Sequence, residues 1–126
     1  MHAASTWDIA LIRERGAFLG VEAKQLGIHV QLGPVAGPLG KIVTGGRNWE
    51  GFSPDPYLTG IAMAETIEGM QGAGVQACAK HYIGNEQEKN RETMSSSAIP
   101  DRVMHELYLW PFVDAVKANV ASVMCR

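Results

Sequence analysis

Apolar positions recur at helical spacing from Ile12 through Leu19 and Ala23 to Leu26, with Leu11 and Phe18 beside them. Arg13, Glu14, Glu22 and Lys24 fall on the other side. Such a stripe predicts an amphipathic helix that covers one face of a larger body. Ser5 or Thr6 is placed to cap it, Asp8 lies in its first turn, and Gly27 is placed to end it. Ile28 to Leu32 is a short β-rich run stopped by Gly33-Pro34, and reads as a strand. Val35 to Gly46 follows neither period. Asp55-Pro56 then starts a second helix, aspartate as cap and proline in the first turn, with Leu58, Ile61 and Ala62 on its apolar face and glycines 69, 72 and 74 to close it. Val75 to His81 reads as a second strand of small and apolar residues whose last two positions turn charged.

Tyr82 to Pro100 is a polar loop. Asp101 is positioned to cap a third helix in which Met104, Tyr108, Pro111 and Ala115 share a face. Pro111 cannot donate a backbone hydrogen bond, so one helix to about Leu109 and a restart near Pro111 are predicted. Val120 to Met124 is a third strand. Helix and strand thus alternate three times, the pattern of a parallel α/β fold. Three parallel strands alone leave two open edges, so the expected architecture is a portion of a larger barrel or sheet.

Composition narrows the partners more than the fold. The chain has 126 residues, 46% of them hydrophobic and 19% charged, which suits one globular domain. A formal net charge of −2 leaves no electrostatic footprint for nucleic acid or an anionic membrane. No run of about eighteen apolar residues is present to span a membrane, and Met1 to Thr6 lacks the basic start and apolar centre of a signal peptide. Cys78 and Cys125 have no metal-ligand spacing and read as small buried hydrophobes. Ser95 to Ser97 marks an exposed loop.

The richest stretch chemically is Gly45 to Pro56, where Arg47, Trp49, Glu50 and Phe52 sit among turn formers. One reading is structural: the tryptophan plugs a core edge while the charges pair. The other is recognition of a polar ligand. Ligands of parallel α/β folds sit at the carboxyl ends of the strands, which selects this loop after the first strand and Lys80-His81 at the end of the second. Both are expected on one rim. Arginine and lysine donate to hydroxyls, histidine donates or accepts, and an indole can cover an apolar sugar face, so the set suits a neutral polyol. For Lys80 and His81 a solvated strand end is the plainer alternative. Glu86 and Glu88 are expected to be solvated.

Competing motifs fail. Gly40-Lys41 resembles the end of a phosphate-binding loop, but Val35 stands where a glycine is required and Ile42 where a hydroxyl is required. His105-Glu106 opens like a zinc-protease helix, yet position 109 is leucine. No Gly-x-Ser-x-Gly elbow presents a serine. No cofactor and no metal are expected.

Five stretches together resemble the N-terminal barrel domain of glycoside hydrolase family 3, fungal β-glucosidases in particular. They are Trp7-Asp8, Gly33 to Gly40, Gly45 to Pro56, Ala79 to Glu88 and His105 to Phe112, in the family's order and over nearly the whole chain. The resemblance implies a partial TIM-type (β/α) barrel of about three strand-helix units, with residues 1–126 an incomplete N-terminal domain and no second domain. It implies a retaining exo-acting hydrolase that removes terminal non-reducing β-D-glucose from cellobiose, oligosaccharides or aryl and alkyl glucosides, through a covalent glycosyl-enzyme. Carried across, Arg47, Lys80 and His81 match positions that bond the glucose hydroxyls, while Trp49 and Glu50 support the loop.

The departures matter as much. The family's nucleophile is the aspartate of a Ser-Asp-Trp motif absent here, its acid/base glutamate lies in a following domain, and another sugar-binding aspartate precedes the start of this chain. Arg126 stands where the family continues Ser-Tyr-Asn after Val123-Met124-Cys125. No residue of the chain is therefore assigned as catalytic, and the 126 residues alone are expected to be inactive. Secretion is an expectation from the resemblance only. The alternatives are a non-catalytic carbohydrate-binding or interaction module, and a barrel enzyme for phosphorylated ligands, which the failed phosphate loop disfavours.

Overall fold

A computed structural model describes residues 2–38, 42–93 and 96–125. The Gly40-Lys41 pair, Ser95 and Arg126 lie outside the described residues.

The first helix, α1 (Ile9–Gln25), is capped by Asp8, whose carboxylate accepts from the Leu11 amide at 3.0 Å. Ser5 and Thr6 were expected in that role. Instead they fall in a short 3-10 turn, where the Thr6 hydroxyl bonds Ala3 O at 2.7 Å and accepts from Asp8 N at 3.2 Å. A carboxylate satisfies the orphan amides and complements the helix dipole together, which favours Asp8. Gly27, at φ +74, ends the helix as predicted.

The predicted stripe of α1 is buried at Ile12 and Ala23 and packs against the core at Leu19, but it is completed by two glycines and not by its flanking large residues. Ile12, Gly16, Gly20 and Ala23 are buried, whereas Phe18 and Leu26 are 65% and 70% exposed. The partner is α2 (Pro56–Gly72), and the contact is made through backbones. A Cβ on Gly16 would lie 2.8 Å from Thr66 O, and one on Gly20 would lie 2.8 Å from Met70 O. From the other side, Gly69 sits against the backbone of Arg13, Gly16 and Ala17. Small residues let the two axes approach, and Leu11, Phe18 and Leu26 point away from the contact. Arg13, predicted to face away, reaches across it to Glu65 and Glu68, both at 2.6 Å.

Helix α2 starts as the sequence predicts. Asp55 caps it, accepting from Tyr57 N at 3.0 Å, and Pro56 occupies the first turn. Ala62, Met63 and Ile67 are fully buried, against the sheet on one side and α4 on another. The third helical region has two pieces, α3 (Asp101–Val103) and α4 (Trp110–Lys117), joined by a π-helical segment over Met104–Tyr108. Asp101 makes no side-chain cap, the N-cap position being Pro100. The break expected at Pro111 is present. Leu109 N bonds Met104 O at 2.8 Å, five residues back, and this wider turn lets the chain restart with Pro111 in the first turn of α4.

Among the described residues three parallel strands lie in the order β1 (Val30–Gln31), β2 (Gln76–Tyr82), β3 (Ser122–Cys125). Val30 pairs with Gln76, Ala79 with Val123, and the β2–β3 register becomes irregular between Ala79 and Tyr82. The predicted Ile28 to Leu32 strand shortens to two residues, yet the chain beyond it still follows β2. Cys78 N bonds Gly33 O, Lys80 N bonds Pro34 O at 2.9 Å, and Ala36 N bonds Lys80 O at 2.7 Å. Ala77 and Ala79 are fully buried, Cys78 is buried as predicted, and Cys125 is exposed, contrary to the prediction.

The helix contact is directly testable. Gly69→Val drives a branched side chain into the backbone of α1, and is expected to cost at least about 1–3 kcal/mol, as overpacking does. A chemical-denaturation midpoint unchanged from that of the parent polypeptide would contradict the backbone packing.

Candidate active site

The loop from Gly45 to Pro56 returns to the carboxyl end of β2 because Val35 bridges both, pairing with Gly51 on one side and Lys80 on the other. Phe52, 7% exposed, anchors the loop in the core. Trp49 is 75% exposed, so the residue that plugs the core edge is the phenylalanine and not the tryptophan. A 3-10 turn over Asn48–Glu50 then aims Glu50 back at the strand. The Asn48 amide ties that turn to Ile42 O at 3.0 Å.

Glu50 is the centre of the arrangement. Arg47 grips its carboxylate with two bonds, Nε to Oε1 at 2.6 Å and Nη2 to Oε2 at 3.0 Å, and Lys80 Nζ reaches Oε2 at 3.0 Å. The three side chains are 20%, 13% and 12% exposed for Arg47, Glu50 and Lys80. Two cations share one carboxylate, so the cluster keeps a net positive charge and spare N–H donors. Arg47 also lies 3.5 Å from Glu88, which pairs with Arg91 at 3.2 Å.

The hydrogen bond from Arg47 holds the Glu50 carboxyl down at about 2, against the opposing effect of burial and with help from Lys80. Burial lowers the His81 imidazole to about 4, and the charges of Arg47 and Lys80 push in the same direction. At neutral pH the site thus presents an ionised carboxylate and an uncharged imidazole that both donates and accepts. Burial raises the Tyr108 phenol, with the Glu86 charge adding to it.

The predicted rim therefore exists, with its members divided between two cavities that meet at Glu50. Lys80, Trp49 and Gln31 line a cleft of about 500 Å³ that also reaches His2 and Arg15. Arg47 and His81 line a small cavity on the other side, with Asn85 and Glu86. Glu88 is exposed as expected, whereas Glu86 is half-buried and not solvated: a Cβ on Gly37 would lie 2.8 Å from both of its carboxylate oxygens. Asn85, 8% exposed, has no role assigned in the sequence beyond its place in the polar loop and in the Ala79 to Glu88 stretch. The available signal was its place just after the strand end, next to Gly84 in a positive-φ turn. Among the described residues no group of three or more His, Cys, Asp or Glu is placed to hold a metal, and no helix is long and apolar enough to cross a membrane.

Parallel strands joined through helices, with a charged cluster at the strand ends, define a part of a (β/α) barrel with a charged rim. The chain belongs to the family described as glycosyl hydrolase family 3 N terminal domain, whose model matches residues 1–126. It is 73% identical over 125 residues to probable beta-glucosidase L of Aspergillus terreus, covering 99% of this chain and 17% of that relative. Among solved structures, the beta-glucosidase D2-BGL of Chaetomella raphigera is 76% identical with a TM-score of 0.90, over 98% of this chain and 17% of that one. Beta-glucosidase 3B of Thermotoga neapolitana, in complex with glucose, is 37% identical with a TM-score of 0.89, at the same 98% and 17% coverage. The chain thus spans about 17% of the length of these relatives, and its three strand-helix units are a partial TIM-type barrel.

His81 sets a pH dependence whose sign follows from its depressed value. Between the ordinary 6.5 and about 4 the unfolded state binds more protons than the folded one, so its contribution to stability falls as pH is lowered through that window. Glu50 contributes stability above the usual 4.5 that is lost as pH falls towards about 2. Melting temperature followed against pH is expected to be less steep between 6.5 and 4 in His81→Gln than in the parent polypeptide. Parallel curves would show that the imidazole is not held neutral.

Proposed function

We propose that this chain is the sugar-holding portion of a retaining, exo-acting β-glucosidase that hydrolyses terminal non-reducing β-D-glucosyl residues. The observation that carries the reading is Glu50 held between Arg47 and Lys80 at 2.6 Å and 3.0 Å, beside a neutral His81. A single buried carboxylate fixes two cations on the strand-end rim and leaves donors free to meet hydroxyls. A glucose ring is uncharged, so its recognition rests on directed hydrogen bonds, which suits a fixed set of donors and an imidazole that is not protonated. Relatives named beta-glucosidases, one of them bound to glucose, support the same substrate class.

In this reading Arg47, Lys80 and His81 bind the hydroxyls of the glucosyl unit. Glu50 holds the first two in place, and Trp49, lining the cleft with Lys80, supports the loop and its apolar surface. In the double displacement one carboxylate attacks the anomeric carbon as the glycosidic bond breaks, while a second protonates the leaving oxygen and later activates water. Neither carboxylate is assigned to a residue of this chain. Residues 1–126 act as an incomplete N-terminal barrel domain, and the parent polypeptide works outside the cell, as the resemblance to fungal β-glucosidases suggests.

Hydroxyl contacts strengthen as the oxocarbenium-like state forms, so their loss falls on the transition state. In the full-length polypeptide, Arg47→Ala or Lys80→Ala is expected to lower kcat/KM for an aryl β-glucoside by about a hundredfold or more, roughly 3 kcal/mol. Unchanged specificity constants would reject these roles. The 126 residues alone are expected to release no aglycone above a mock preparation.

A further inference from the structure

The small cavity beside the Arg47–Glu50 pair has a volume of about 10 Å³ and is lined by Gly37, Arg47, Glu50, His81, Asn85 and Glu86. Room for one water molecule begins at roughly this size, and such a water needs two to four polar partners. Here they converge. Asn85 is 8% exposed, and its Oδ1 is buried with no hydrogen-bond partner among the described residues. Carboxylates from Glu50 and Glu86 accept, the Arg47 guanidinium donates, and a neutral imidazole does either. Gly37 keeps the wall thin, since a Cβ there would lie 2.8 Å from the Glu86 oxygens.

We propose that this cavity holds one internal water that donates to Asn85 Oδ1 and hydrogen-bonds the His81 imidazole, making Asn85 a positioning residue for His81. Direct contact between Asn85 Oδ1 and a sugar does not fit, because that atom is buried, whereas Arg47 and His81 on the same cavity each keep part of their surface exposed. Histidine at a strand end has two ring nitrogens, and the partner of one decides which nitrogen presents its proton or lone pair to a ligand. Through the water, the buried amide holds the ring in a single orientation while the other nitrogen serves the rim.

Two measurements on the full-length polypeptide test this. A crystal structure that resolves ordered solvent, with and without glucose, is expected to show one water within about 2.6–3.2 Å of both Asn85 Oδ1 and a His81 ring nitrogen. An empty cavity, a protein donor bonded directly to Oδ1, or a glucose hydroxyl in that position overturns the proposal. For the second, Asn85→Leu removes the acceptor and Asn85→Asp retains one. Calorimetric titration with glucose is expected to give a Kd weakened about tenfold for leucine and by no more than about threefold for aspartate. Equal losses in both variants, or none in either, overturn the positioning role. The glucose titration rests on the β-glucosidase reading, whereas the solvent position does not, so the failure of one is distinguishable from the failure of the other. If the leucine variant does not fold, the solvent position in the parent polypeptide decides.

Discussion

Everything at the strand ends depends on the carboxylate of Glu50. It is mostly buried, and a buried ion is tolerated only with close partners, which Arg47 and Lys80 supply from two different parts of the chain. Arg47 comes from the same loop, three residues away, and gives that loop its internal geometry. Lys80 comes from the central strand and fastens the loop to the sheet. Without Glu50 the two cations face each other in a poorly hydrated place, and like charges there repel strongly. One anion therefore turns two mutually repelling groups into a fixed pair of donors.

The same electrostatics reach the imidazole. His81 is half-buried beside a cluster with a net positive charge, so both desolvation and its neighbours oppose protonation. A neutral histidine next to fixed cations is a mixed set of donors and acceptors, which is more useful for hydroxyl recognition than three positive charges.

The cluster keeps its geometry because its platform is stiff. Ala77 and Ala79 let β2 lie flush against the core, and Met63 and Ile67 of α2 fill the space above the sheet. On the far side of α2 the glycines of α1 remove the side-chain layer altogether, so that helix backbones touch. Close packing of this kind transmits position with little slack.

Part of this was legible in the sequence because it rests on local chemistry. Asp55-Pro56 supplies a cap and a first-turn proline for a helix, Pro111 interrupts one, Gly27 allows a positive φ, and the charged end of Val75 to His81 marks a strand reaching a rim. The alternation of helix and strand and the motifs in register carried the fold class and the family. The face of α1 was legible at Ile12, Leu19 and Ala23 but its closest contact was not, because apolar periodicity weighs large side chains and that contact is made by Gly16, Gly20 and Gly69. Nor was the choice between Trp49 and Phe52 as anchor, since both are aromatic and only the bridge at Val35 decides which one meets the core. The sequence by itself determined which residue types stand at the ends of the strands. Only the tertiary structure decided that Arg47 and Lys80 share one carboxylate and that Asn85 is buried beside His81, because pairing and desolvation are set by distance in space and by what excludes water, neither of which is a property of order along the chain.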